Sequence, residues 1–313
     1  MRVLFAGTPE LAVPTLRALA ASGHTVAGVL SAPDRPRGRG RTPLPSPVTA
    51  AAEELSLPVL QPQRLGAQAR AAVAELEPEL LAVFAYGKIF GPRFLALFEK
   101  GGLNVHPSLL PRYRGPAPIP AAIRNRDSET GITVQTVALE MDAGDIVVQK
   151  RIPLSGDETT ASLSELVARA AGPLLVDAID AVAAGRAVTP QDHAAATYTR
   201  LLSKSDGEID WSRSAEEIEA LIRSVIPWPK GRTTFRGKPL TVHRARVVEC
   251  PTPGGELTPG RIVAVDRALG ILVETGNACI ALQEVQLPSR KPVDWNSFVN
   301  GAGPLEGELL GGS

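Results

Sequence analysis

The sequence predicts a two-domain α/β protein: an open, mostly parallel sheet with helices on both faces, followed by a small antiparallel β-barrel. Three observations carry this expectation. The chain has 313 residues, about twice the length of a typical domain. Up to about Lys150, short aliphatic runs alternate with helical patterns, and a βαβα order builds a parallel sheet. From Thr233 onward, short alternating runs are separated by Gly and Pro turns, the pattern of a compact barrel. With 44% hydrophobic and 4% aromatic residues, each core has to be aliphatic.

The elements follow in order. Val3 to Ala6 reads as a buried strand and Leu11 to Ser22 as a helix closed by Gly23. Thr25 to Ser31 is a second strand, Pro47 to Leu55 a helix, Val59 to Gln61 a short strand, and Ala67 to Leu76 an Ala-rich helix. Leu80 to Phe84 is apolar throughout, as a strand covered on both faces must be. Phe94 to Phe98 reads as a helix and Leu103 to His106 as a strand. Ile132 to Leu139 and Ile146 to Ile152 read as strands flanking a tight turn, and Leu163 to Ala184 as a long amphipathic helix. The polar, aperiodic stretch from Ala187 to Asp210 suits a linker. Domains are therefore expected at 1–186 and 211–313, joined by 187–210. Ala215 to Ser224 is a helix opened by a capping box, Ser214 with Glu217. Barrel strands are expected at Thr233–Phe235, Leu240–Val248, Arg261–Val265, Ile271–Glu274 and Ile280–Leu287.

Several function classes fall away. The two cysteines, Cys250 and Cys279, form no CxxC pair and no disulfide framework is expected of them. Four scattered histidines fit no zinc spacing, so no metal is expected. No apolar run approaches a membrane span, and the N-terminus lacks a signal or transit pattern, so the protein is expected to be soluble and cytoplasmic. Gly7-Thr8-Pro9-Glu10 lacks the GxGxxG glycines, which argues against a dinucleotide.

Charge is balanced in sum, 33 basic against 33 acidic residues, but unevenly placed. Arg35, Arg37, Arg39 and Arg41 crowd one Gly-interspersed loop. Arg223, Lys230, Arg232, Arg236, Lys238, Arg244 and Arg246 run without an intervening acid. Each stretch alone reads first as a solvated face; together they favour a polyanionic partner.

Chemistry is expected beyond the C-terminal ends of the parallel strands. Asn104 and His106 are two residues apart on one strand and so face the same way, and Pro107 helps to hold His106 extended. An amide can donate to an oxygen gaining negative charge, and an imidazole can move a proton near neutral pH. The plain alternative is a turn-capping Asn beside a hydrogen-bonded His. Asp142, in the turn Met141-Asp142-Ala143-Gly144-Asp145, offers a carboxylate that can orient the imidazole, or simply an Asx-turn. Gly144 is expected to supply a positive φ there.

The run Asn104-Val105-His106-Pro107-Ser108-Leu109-Leu110-Pro111-Arg112-Tyr113-Arg114-Gly115 resembles the signature of the folate-dependent formyltransferases. Phe5-Ala6-Gly7-Thr8-Pro9, Ala85-Tyr86-Gly87 and Asp142-Ala143-Gly144-Asp145 follow that family's order. Within it, the chain is most similar to the members acting on methionyl-tRNA. Pro33 to Arg41 with Pro45-Ser46-Pro47-Val48 is similar to their basic insertion loop, Leu202-Ser203-Lys204 through Ser212 to their linker, and Pro227-Trp228-Pro229 to the start of their barrel. The resemblance weakens after about Gly254.

The resemblance implies a Rossmann-like catalytic domain and an OB-like barrel, with Asn104, His106 and Asp142 as the catalytic trio. It implies 10-formyltetrahydrofolate as co-substrate, lined by Ala85, Tyr86, Gly87, Ser108, Leu109, Leu110, Pro111 and Gly144. It further implies methionyl-initiator tRNA as partner, contacted by Arg37, Arg39, Arg41, Lys204, Arg232, Arg236 and Lys238. No obligate protein partner is inferred. A formyltransferase for a nucleotide-sugar or other small amine, or a non-catalytic tRNA-binding protein on the same fold, would share much of this pattern.

Overall fold

The computed structural model describes residues 1–37, 42–251 and 256–311. The chain divides into two compact units: Met1–Pro118 with Glu129–Pro153 and Leu163–Thr199, and Ile119–Ser128 with Leu154–Ser162 and the residues from Arg200 onward.

The strands and helices of the first half are β1 (Arg2–Gly7), α1 (Val13–Ala20), β2 (Thr25–Leu30), β3 (Arg35–Arg37), β4 (Thr42–Leu44), α2 (Pro47–Glu54), β5 (Val59–Leu60), α3 (Ala67–Ala74), β6 (Leu80–Phe84), α4 (Pro92–Leu95), β7 (Gly102–His106), α5 (Pro118–Arg124), β8 (Glu129–Thr136), β9 (Ile146–Pro153) and α6 (Thr160–Ala183). Among the described residues, seven strands form one sheet in the order β5-β2-β1-β6-β7-β8-β9. The first five are parallel, and β8 and β9 are added antiparallel at the edge. All five residues of β6 are buried, so its unbroken apolar run is what a central strand covered on both faces requires. The chain leaves β1 toward β2 on one side and returns to β6 on the other. A crevice therefore opens at the C-terminal ends of β1 and β6, where the direction of winding reverses.

Helix ends follow local chemistry. Ser46 caps α2 by accepting from the Thr49 N–H, with Pro47 in the first turn. The expected helix from Leu11 begins as a 3-10 turn, Glu10–Ala12, before α1. The arginine loop is entered and left through a small hairpin, β3 against β4, with Arg35 opposite Leu44. Arg39 and Arg41 lie outside the described residues.

The second unit holds α7 (Ala215–Ser224), β10 (Gly231–Phe235), β11 (Lys238–Val248), β12 (Ile262–Asp266), β13 (Gly270–Glu274), β14 (Cys279–Gln286), β15 (Val293–Asp294) and α8 (Trp295–Ala302). The order is β10-β11-β14-β13-β12, with β15 on β14, and all pairings are antiparallel. The two edge strands are bridged by the C-terminal segment. Leu310 pairs with Phe235 and Leu309 with Arg261, so the sheet closes into the expected barrel and its free edges are covered. Gly260 permits that closure: at φ +88°, a Cβ there would lie 2.5 Å from the Leu310 carbonyl. The core is aliphatic, with Ile218, Ile222, Val242, Val273, Ile280 and Leu282 buried, and Trp211, Phe235 and Phe298 joining it. The capping box of α7 forms as read, Ser214 Oγ accepting from the Glu217 N–H.

The cysteines correct one expectation. Cys250 and Cys279 are joined in a disulfide with a Cα–Cα distance of 5.0 Å. Spacing could not reveal it, because 29 residues separate them and only the pairing of β11 with β14 (Val248 opposite Cys279) brings them together.

Candidate active site

Strand β7 presents Asn104 and His106 on one face of the sheet, as the two-residue period requires. Pairing with β8 places Gln135 directly opposite Asn104, so its side chain joins the same face. The turn between β8 and β9 then brings Asp142 over this face. Its Oδ1 lies 3.3 Å from Asn104 Nδ2, 3.0 Å from Gln135 Nε2 and 3.5 Å from His106 Nδ1, and its Oδ2 accepts from the Gly115 N–H at 2.8 Å. An amide, an imidazole and a carboxylate thus converge within one unit of the fold.

The turn achieves this by means other than those expected. The positive φ belongs to Asp142 itself, at +52°, and Gly144 is not in the left-handed region. Gly144 is needed for close approach instead: a Cβ would lie 1.8 Å from the Thr136 carbonyl oxygen. Thr136 and Asp145 close the turn, with Thr136 N–H on Asp145 O at 2.8 Å and Asp145 N–H on Thr136 Oγ1 at 2.9 Å.

His106 is 4% exposed. Its Nε2 lies 2.9 Å from the Tyr113 carbonyl, an acceptor only, so Nε2 carries the proton and Nδ1 of the neutral ring is bare toward Asp142. Burial pushes the imidazole below its ordinary value of about 6.5, against the opposing pull of the Asp142 carboxylate and the Tyr113 carbonyl. The neutral ring is therefore the form to expect at neutral pH, with a carboxylate placed to stabilise the cation once a proton arrives.

Ala85 and Gly87 are exposed at the C-terminal end of β6, beside β7. Both have positive φ, +53° and +81°, and nothing lies within 4 Å of a Cβ built on Gly87. The backbone there is exposed. Tyr86 between them is buried and stacks on Phe90 at 5.4 Å. Its hydroxyl has no partner among the described residues, and burial pushes it up to about 12. Ser108 is fully buried and donates to the Arg112 carbonyl, while the Leu110 N–H is taken by Thr133 Oγ1. Leu110 is buried, and Leu109 and Pro111 are half-buried.

The basic residues divide sharply. Arg232 and Lys238 are exposed on β10 and β11, and Lys204 is exposed at the start of a 3-10 turn, Lys204–Gly207. Arg236 is exposed as well, but its donors are tied to groups of this chain. It pairs with Glu308 at 2.9 Å, donates to the carbonyls of Ala302 and Pro304 at 2.8 Å each, and lies over the Phe235 ring. Arg223 likewise reaches Glu219 and the Glu158 carbonyl. Arg37 belongs to β3 by its backbone.

Gln135, Arg114, Gln191 and the backbone groups of Tyr113 and Gly115 complete the site and were not singled out from sequence. Only strand register could have flagged Gln135. Gln191 carried no signal at all, lying in an aperiodic polar stretch. Among the described residues, no group of three or more His, Cys, Asp or Glu side chains is placed to hold a metal ion. No helix among them is long and apolar enough to cross a membrane.

Comparison with known proteins shows the family. A family model for formyl transferases matches residues 1–179, and one for the formyl transferase C-terminal domain matches residues 201–303. The methionyl-tRNA formyltransferase of Treponema denticola is 43% identical over 96% of this chain and 97% of its own length. That of Roseiflexus castenholzii is 43% identical over 100% and 99%. Among solved structures, an N-formyltransferase from Helicobacter canadensis in complex with folinic acid and dTDP-3-aminofucose superposes with a TM-score of 0.67 at 16% identity, over 90% of this chain and 99% of that one. HypX from Aquifex aeolicus in complex with tetrahydrofolic acid superposes with a TM-score of 0.63 at 16% identity, over 98% of this chain and 48% of that one. These two share the fold. With relatives of such identity along its whole length, the chain belongs to the methionyl-tRNA formyltransferase family.

Proposed function

We propose that this protein transfers the formyl group of 10-formyltetrahydrofolate to the α-amino group of methionyl-initiator tRNA, in the cytoplasm, with Asn104, His106 and Asp142 as the catalytic groups. The observation that carries the reading is the meeting of these three side chains on one face of the sheet, in a chain whose full-length relatives bear this activity in their names.

The amine lone pair attacks the formyl carbon and the carbonyl π pair moves onto oxygen. Asn104 Nδ2 is the donor for that oxyanion, exchanging its contact with Asp142 for the developing charge. The bare Nδ1 of His106 takes the proton lost by the amine, and Asp142 stabilises the imidazolium that results. When the intermediate collapses, the C–N bond to the folate breaks and His106 returns the proton to the departing nitrogen. The open backbone of Ala85 and Gly87 and the Asp142–Gly144 turn support a pterin-lined cleft, to which Ser108, Leu109, Leu110 and Pro111 contribute shape. Phosphates of the tRNA would meet Lys204, Arg232 and Lys238, whose exposed guanidinium and ammonium groups release counterions on binding, and the resemblance adds Arg37, Arg39 and Arg41.

The test is a single-turnover assay with labelled 10-formyltetrahydrofolate and three acceptors: methionyl-initiator tRNA, methionyl-elongator tRNA and a small primary amine. Transfer is expected to the initiator alone. Equal transfer to the small amine would overturn the acceptor, and tRNA binding without transfer would overturn the chemistry.

A further inference from the structure

Arg114 is 1% exposed and heads the largest fully buried side chains of the molecule. Nothing in the transfer chemistry above uses it. Its Nε and Nη2 donate to Gln191 Oε1 at 3.2 and 2.8 Å, Nη2 also lies 3.0 Å from His193 Nδ1, and Nη1 donates to the Tyr198 hydroxyl at 3.2 Å, with Glu140 at 3.7 Å. Gln191 in turn lies with Nε2 at 2.9 Å from the Asp142 carbonyl, 2.6 Å from the Gly144 carbonyl and 3.0 Å from Gln135 Oε1. Gln135 Nε2 then donates to Asp142 Oδ1 at 3.0 Å. Every one of these residues belongs to the first unit.

The polarity of this chain of contacts is forced from one end. A guanidinium has donors and no acceptor, so Gln191 has to turn its oxygen to Arg114 and its NH2 to the turn. Gln135, whose oxygen is thereby taken, has to turn its own NH2 to Asp142. An amide alone has two orientations of similar energy; the buried charge removes the choice. We propose that Arg114 and Gln191 are positioning residues for the transfer reaction: they hold the left-handed Asp142 turn by its carbonyls and, through Gln135, fix a donor on the carboxylate that faces His106. The inference rests on the reading of Asp142 as a catalytic group.

A positioning role has a signature that loss of fold lacks. Gln191→Met keeps length and volume and removes the donors. It is expected to lower kcat at least tenfold, to leave KM for both substrates within twofold, and to show no further loss when placed in an Asp142→Asn background, since residues acting through one another are non-additive. Gln191→Glu, which keeps the Arg114 pairing but points an acceptor at the two carbonyls, is expected to lose kcat similarly. It serves as the measurement if the methionine variant unfolds. Arg114→Lys, which retains a buried donor, is expected to keep more kcat than Arg114→Met. An unchanged kcat in the folded Gln191 variants, or losses that multiply with that of Asp142→Asn, would overturn the positioning role and leave the catalytic trio standing. Wild-type turnover in Asp142→Asn alone would overturn the trio itself.

Discussion

Arg114 of the first unit and Arg232 of the second carry the same guanidinium in opposite surroundings. Arg114 is buried and spends its donors on Gln191, Tyr198 and neighbours. Arg232 stands in solvent on β10. A second contrast lies inside the basic run itself, where Arg236 and Lys238 are both exposed but Arg236 is tied to Glu308 and two carbonyls. A cation in a sequence announces charge, not availability. Arg114 is turned inward, where it organises a buried polar cluster. Arg232 and Lys238 stand outside an aliphatic barrel, where they can meet a polyanion.

The sharpest way to break this division is at the buried cluster. His106→Ala or Asn104→Ala is expected to slow single-turnover formyl transfer by at least about 100-fold with tRNA affinity unchanged. A loss under tenfold would show that the cluster is only structural. In the barrel, the Cys250–Cys279 cross-link closes a loop of 29 residues, so reduction should cost this unit about 3.6 kcal/mol. Thermal unfolding with and without reductant reads that cost. An unaltered transition would place the stability of the unit entirely in its aliphatic core.

Smaller effects sharpen the comparison among the cations. Arg236→Ala should lower the unfolding free energy of the barrel by about 1–2 kcal/mol, the worth of its hydrogen bonds, with little effect on tRNA binding. Arg232→Ala and Lys238→Ala should do the reverse. Each is expected to weaken tRNA binding and flatten the dependence of log K on log salt by about 0.7–0.9. Equal salt slopes in all three variants would erase the distinction. Last, because burial holds His106 below about 6.5, the ring is already neutral as pH rises through that value. The acid limb of kcat should therefore lie below 6.5, with turnover level across neutral pH. A limb above it would mean that the Asp142 carboxylate outweighs burial.

Much of the site was legible because its two halves are local. Asn104 and His106 lie two apart on a strand, so their common face follows from the pleat alone, and a continuous motif ran on from them. Gly144 marks a tight turn in the sequence, but the positive φ expected of it falls on Asp142 instead. Clearance for the Thr136 carbonyl, rather than φ, is what requires the glycine. Its contact is with a strand eight residues back, and no local rule contains that distance. α5, α8 and the β3–β4 hairpin went unread: α5 carries two prolines and α8 two asparagines and a glycine, weak helix formers, and β3 and β4 are three-residue arms carrying prolines.

What the sequence determined by itself was periodicity and punctuation: buried strands, amphipathic helices, the α7 capping box, and the placement of chemistry at the end of a parallel strand. These are set within a few residues, by side-chain alternation and by the hydrogen bonds a chain can make to its near neighbours. Tertiary structure alone decided which amides face Asp142, which arginines are spent, and which two cysteines meet. Each of those depends on strand register or on a buried group reaching across 29 to 77 residues of chain, and partners so distant are chosen by the packed fold, not by their spacing.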